Sequence, residues 1–173
     1  GGGMANTFFK AMGYEVGASL VEDDIIDDVK DMLRTGAETI ILPIDVVVAD
    51  AFENDANHQV VPVDGVEPGW MILDLGPKTV EKYRGILHEA ETVAWNGPLG
   101  VFEMPNFAKG TFAIAKILAE LDAVTVVGGG ESAAAVEKAG VADKVSHVST
   151  GGGASLMFFE GKTLPGLEAL EDK

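Results

Sequence analysis

Nine of the 22 glycines in this 173-residue chain fall in three triplets, at residues 1–3, 128–130 and 151–153. Two triplets join a β-branched run to a helix-compatible one, in Val124-Thr-Val-Val-Gly-Gly-Gly-Glu-Ser-Ala-Ala-Ala-Val136 and Val145-Ser-His-Val-Ser-Thr-Gly-Gly-Gly-Ala-Ser-Leu156. The first triplet continues into Met4-Ala-Asn-Thr-Phe-Phe-Lys10, which is also helix-compatible. Glycine lets the backbone bend sharply and lets a ligand approach where a Cβ would collide. A helix starting at such a turn aims its free N–H groups and positive dipole end at that space. Three such starts at one edge of a parallel sheet make an anion-binding crevice suited to phosphate. A single triplet reads equally well as a tight strand–helix connection, and recurrence in equivalent contexts favours the ligand. None of the triplets matches Gly-x-Gly-x-x-Gly or Gly-x4-Gly-Lys-Ser/Thr, so a dinucleotide dehydrogenase and a P-loop ATPase are disfavoured.

Two acids lie beside these turns. Glu131 follows the second triplet, where a carboxylate could hold Mg²⁺ bridging nucleotide phosphates. It reads equally as an acid favoured by the dipole of a helix N-terminus. Glu103 follows the loop at 96–101 and could accept from ribose hydroxyls, although spacing alone favours an ordinary exposed loop acid. His58, His88 and His147 share no ligand-like spacing, so a zinc site is not expected, and no Gly-x-Ser-x-Gly elbow marks a serine hydrolase. His147 alternates within a strand and reads as structural.

The elements that position these residues follow from pattern. Ser19-Leu-Val-Glu22 has capping-box spacing, and Val21, Ile25, Ile26, Val29, Met32 and Leu33 then mark an apolar helix face ending at Gly36. The acids at 22–31 read as that helix's solvated face. Residues 39–42 and 45–49 are continuous and β-branched, as buried strands are. Residues 59–63, 70–73, 91–95, 124–127 and 145–148 are further strands. Pro77 opens a helix with an apolar stripe at Val80, Tyr83, Ile86 and Leu87. Residues 107–121 form another, with Phe107, Phe112, Ile114, Ile117, Leu118 and Leu121 inward, and 132–138 a short one. Asn96-Gly97-Pro98 is a strong turn signal. Alternating strands and helices argue α/β with a mostly parallel sheet.

Composition excludes other classes. Hydrophobic residues at 47% and charged residues at 23% are globular values, sufficient for one domain of this size. No apolar run approaches the ~20 residues that span a bilayer. With no cysteine, disulfides, iron–sulfur clusters and cysteine-based zinc sites are out. A net charge of −16 opposes a nucleic-acid or anionic-membrane footprint. No secretory signal is visible, and the lack of cysteine fits a reducing cytosol. The chain opens inside a glycine triplet with no strand before it, which suggests a fragment whose N-terminal portion is missing.

Five blocks, in order, resemble phosphoglycerate kinase: Gly1-Gly-Gly-Met-Ala-Asn-Thr-Phe8, Leu42-Pro-Ile-Asp-Val-Val-Val48, Gly69-Trp-Met71, Trp95-Asn-Gly-Pro-Leu-Gly-Val-Phe-Glu103 and Ser149-Thr-Gly-Gly-Gly-Ala-Ser-Leu156. The match is to the C-terminal, nucleotide-binding domain of that family and covers essentially the whole chain. It implies a three-layer Rossmann-like domain over 1–173, lacking its first strands, that binds MgATP or MgADP in the cytoplasm. A separate N-terminal domain, absent here, would bind 3-phosphoglycerate, and hinge closure would bring the substrates together. The parent would be a monomeric glycolytic kinase with no nucleic-acid or membrane partner.

Carried over residue by residue, the resemblance places Gly3 and Ile72 at the adenine pocket. It places Asn96, Gly97, Pro98 and Val101 in the nucleotide loop and Glu103 on the ribose. Gly128, Gly129, Gly130 and Ser132 would contact phosphates, with Glu131 at the Mg²⁺ position. Gly129, Thr150, Gly151 and Gly152 would stabilise the phosphoryl group in transfer. The chain departs from the family pattern at Glu131, where Asp is usual, at Ile72, where glycine is usual, and at Met157, where Glu is usual. The segment with a phosphate-binding lysine is also missing. The leading expectation is a phosphoglycerate kinase whose isolated fragment is inactive. The alternatives are a non-enzymatic nucleotide-binding module and a fragment that binds nothing.

Overall fold

The computed structural model describes residues 1–36, 38–149 and 151–168. They divide into two compact units, Gly1–Ile86 with Pro98–Ile114, and Leu87–Gly97 with Ala115 onward.

In the first unit, the valine-rich run Asp45–Ala49 forms β1, the central strand of a three-stranded sheet with order β2-β1-β3. Both neighbours, β2 (His58–Pro62) and β3 (Met71–Leu75), pair with it antiparallel. Being flanked on both sides, β1 is the position where a continuous apolar run belongs. Val46 and Val48 pack with Ala5 and Phe9 of helix α1 (Gly2–Ala11) and with Val16 and Val66. Ala49, Ala56, Leu73 and Phe107 form a second cluster. Helices α2 (Ile26–Thr35) and α3 (Pro77–Leu87) complete the unit with the first half of α4 (Lys109–Glu120).

The second unit holds a parallel sheet, β4-β5-β6, made of β4 (Thr92–Asn96), β5 (Val124–Gly128) and β6 (His147–Ser149). Helix α5 (Gly130–Lys138) follows β5, and α6 (Gly152–Phe159) follows β6. Ile117, Leu118, Val127, Ala135 and Val136 fill its core. Parallel strands each followed by a helix give the α/β, Rossmann-like arrangement expected, while β1–β3 add an antiparallel sheet that alternation alone did not show.

Four local expectations differ. Residues 39–42 form no strand. The Thr39 and Ile40 N–H groups donate to Gly36 O, while Ile41 O and Leu42 O accept from the Tyr83 hydroxyl (3.1 Å) and Lys82 Nζ (3.0 Å) of α3. Ladder positions are thus occupied by a turn and by side chains. The capping box at Ser19 is not made either. Ser19 Oγ donates to Val16 O and accepts from Ile72 N at 2.8 Å, so α2 starts later, after a 3-10 turn at Asp23–Ile25. Of the apolar face proposed for α2 only Val29 is buried, and Ile25 and Met32 are exposed. In α3 the stripe residue Ile86 is also exposed.

Candidate functional site

The parallel register of the second unit sets Asn96, Gly128 and Ser149 side by side at the carboxyl ends of β4, β5 and β6. Helices α5 and α6 begin immediately beyond, with Gly129 and Gly151 at their N-caps and no side-chain capping bond at either. The first N–H groups of both helices therefore have no capping acceptor from a side chain. Gly129 has φ +100°, which only glycine adopts readily, and its N–H donates to Ser149 O at 2.9 Å. Gly128 is buried, and a Cβ there would crowd Ser155 and the Asn96 amide. Gly130 and Gly153 behave differently. A Cβ on either would meet nothing within 4 Å, and neither has a positive φ.

Side chains hold these turns together. Asn96 Nδ2 donates to Gly128 O at 3.0 Å, and Gly97 N–H donates to Ser132 Oγ at 2.8 Å. Trp95 is buried and its Nε1–H donates to Gly97 O at 2.6 Å. Gly97 itself has φ +85°. Ser132 is fully buried, so its hydroxyl faces the Asn96-Gly97 turn and not solvent. Ser155 Oγ bonds Gly151 O and Ser149 Oγ. Glu131 is exposed in the first turn of α5. Thr150 lies outside the described residues. Gly152 is the first residue of α6.

In the first unit, Gly2 has φ +63° and a Cβ there would press on Pro98 O, so the first turn needs glycine for its backbone. Gly3 abuts Leu20, which is 74% exposed. Ile72 is half-buried and packs on the Ala5–Phe9–Val46 cluster. Val101 N–H donates to Leu73 O at 2.8 Å, which fixes its loop to β3. Glu103 is exposed. The structure thus gathers Asn96, Gly97, Gly128, Gly129, Gly130 and Ser132 around one sheet edge, with Pro98, Val101, Glu103, Gly3 and Ile72 in the other unit.

Two buried carboxylates went unnoticed in the sequence. Asp45 of β1 caps α3 from outside: it accepts from Lys78 N (3.1 Å), Thr79 N (2.7 Å) and the Thr79 hydroxyl (2.7 Å). Asp74 of β3 caps α4 in the same way, accepting from Gly110 N at 2.8 Å. Its Oδ1 and the hydroxyl of Thr111 both lack a partner, although each is buried. Burial pushes the Asp74 carboxyl up to about 6, against the pull of the Gly110, Leu75 and Thr111 N–H groups and the Lys109 charge. The available signal was an Asp inside an apolar run, in Ile44-Asp-Val-Val-Val48 for Asp45 and in Met71-Ile-Leu-Asp-Leu75, just before Gly76-Pro77, for Asp74. Among the described residues no group of three or more His, Cys, Asp or Glu side chains is placed to hold a metal.

The family profile described as phosphoglycerate kinase matches residues 1–162. The phosphoglycerate kinase of Limosilactobacillus reuteri is 59% identical over all of this chain, which spans 43% of that protein. That of Moorella thermoacetica is 56% identical over all of this chain, which spans 45% of it. Among solved structures, phosphoglycerate kinase from Coxiella burnetii superposes with a TM-score of 0.92 at 44% identity, covering 97% of this chain and 44% of that one. The Pyrococcus horikoshii enzyme gives 0.83 at 34% identity, covering 98% of this chain and 44% of that one. The chain thus spans under half the length of the relatives it matches.

Proposed function

The chain belongs to the phosphoglycerate kinase family, and on that premise we propose that it carries the nucleotide-binding part of a kinase acting in glycolysis, in the cytoplasm. The reaction moves a phosphoryl group from the acyl phosphate of 1,3-bisphosphoglycerate to a β-phosphate oxygen of ADP. One P–O bond breaks and another forms, leaving 3-phosphoglycerate and ATP. Such transfer needs positioning and charge stabilisation more than covalent chemistry by the protein. The starts of α5 and α6 suit that task, because preoriented N–H groups and dipole ends meet negative charge without reorganising.

One observation carries the reading: the open space over Gly130 and Gly153. Neither backbone angle nor packing requires glycine there, and at the uncapped starts of α5 and α6 that space is open to the close approach of a ligand. Gly128, Gly129 and Gly130 would take the nucleotide phosphates, with Gly129, Thr150, Gly151 and Gly152 at the transferring group. Ser132 would support them by holding the Gly97 N–H in place. Gly3, Ile72, Pro98 and Val101 are assigned to the base, and Glu103 to the ribose. Mg²⁺ keeps most of its waters and takes one or two carboxylates besides phosphates, so the single exposed Glu131 fits as its protein ligand. The ion would neutralise charge on the phosphates.

Isothermal calorimetry with MgADP tests the reading. Saturable binding that weakens when Mg²⁺ is chelated is expected. A flat titration at millimolar nucleotide would overturn it.

A further inference from the structure

The two strand-borne caps are built to one plan. In each, an aspartate on a central or neighbouring strand accepts the second N–H of a helix later in the chain, a threonine occupies the third helical position, and a glycine is packed against the carboxylate. For Asp45 these are Lys78, Thr79 and Gly76; for Asp74 they are Gly110, Thr111 and Gly100. They differ in what they hold. The Asp45 cap anchors only α3. The Asp74 cap closes a clamp: Val101 N–H is bonded to Leu73 O, and Gly110 N–H to the carboxylate of Asp74, the next residue along β3. The segment from Val101 to Gly110 is therefore tied at both ends to consecutive residues of one strand. Gly100, at the mouth of this segment, packs so closely on Asp74 that any Cβ there would overlap the carboxylate.

We propose that Asp74 is a positioning residue for nucleotide binding, fixing the loop that carries Pro98, Val101 and Glu103 by capping α4 from β3 and backing Gly100. This rests on the nucleotide reading of that loop. Asp74 touches no nucleotide itself; it acts through the backbone at 100–101 and 110. The loop's internal bonds, Phe102 N to Gly100 O (2.9 Å) and Met104 N to Val101 O (3.0 Å), then transmit the position to Glu103. The Asp45 cap supplies a control, because it has the same chemistry on a helix outside that loop.

The test uses the chain as it stands, with Asp74→Ala, Asp74→Asn and Asp45→Asn. Each folded variant is titrated with MgADP well below its melting temperature. Amide exchange at Val101, Phe102 and Met104 is measured without nucleotide. D74A should weaken MgADP about tenfold, within the usual range of coupling between sites, and accelerate exchange at those amides. D74N keeps an acceptor for Gly110 N–H and should stay within about twofold of the parent chain. D45N should lower the melting temperature and leave both readouts unchanged. Equal weakening in D74A and D45N, or unchanged affinity and exchange in D74A, would overturn the proposal. If the parent chain does not bind MgADP, the nucleotide reading falls, and unchanged loop exchange in D74A still separately refutes the clamp. Should D74A not fold, Gly100→Ala disturbs the same contact from the loop side, and normal affinity in that variant also overturns it.

Discussion

Asp74→Asn should remove one component of the pH dependence of stability. The carboxyl is 2% exposed and burial raises it from 3.8 to about 6. A raised acid binds more protons folded than unfolded. Its contribution to stability is therefore full at low pH, declines as pH rises from about 4 to about 6, and is absent above that. Two units correspond to about 3 kcal/mol over the whole range. The pI of 4.3 makes the acid end impractical, so the usable window is pH 5 to 7.5. At pH 5 the folded carboxyl is about nine-tenths protonated and the unfolded one almost wholly ionised, which leaves about 1.4 kcal/mol to be lost across that window. Asparagine does not titrate, so the stability of D74N relative to the parent should rise by that amount from pH 5 to 7.5. With a urea m-value near 1–1.5 kcal/mol/M, the difference between their midpoints should change by about 1 M. Because the chain forms two units, unfolding should be followed by Trp70 in a Trp95→Phe background, where the remaining indole packs on the first unit's core. A midpoint difference that stays flat between the two pH values would refute the burial argument. A difference of opposite slope would mean that the N–H groups and Lys109 outweigh desolvation.

The glycine turns separate by backbone and by space. Gly129→Ala should cost about 1–3 kcal/mol in denaturant titration, because φ +100° is strained for any side chain. Gly130→Ala should leave stability equal or slightly higher, alanine being the better helix former, while calorimetry shows MgADP affinity falling at least about tenfold, a methyl lying where a phosphate must approach. Ser132→Ala removes the acceptor of Gly97 N–H, and a loss of about 1–3 kcal/mol in thermal unfolding is expected. Glu131→Gln should weaken MgADP and leave metal-free ADP almost unchanged in parallel calorimetric titrations; equal effects on both would remove Glu131 from the ion.

What the sequence disclosed divides along physical lines. The turns at 128–130 and 151–153 were legible because parallel strand, glycine and helix are consecutive in the chain, so local pattern contains the whole unit. Residues 39–42 misled because β-branched content specifies a buried extended run but not a partner, and here α3 side chains occupy two of its carbonyls. Ser19 misled in a related way: a hydroxyl three residues before a Glu can cap a helix, but this one is held by Val16 O and by Ile72 N–H, the latter distant in sequence.

The same distance in sequence hid the two caps. Asp45 lies 34 residues from Thr79 and Asp74 lies 36 from Gly110, so no helix-start pattern around Pro77 or Lys109 could reveal its acceptor. Their value also depends on completion. Asp45 has a donor for both oxygens, including the Thr79 hydroxyl. Asp74 has one oxygen without a hydrogen-bond partner, and burial raises its proton affinity. Burying a carboxylate with one oxygen unpaired costs free energy. On the proposal above, the order that Asp74 imposes on the segment carrying Val101 and Glu103 offsets that cost, together with the cap it supplies to α4.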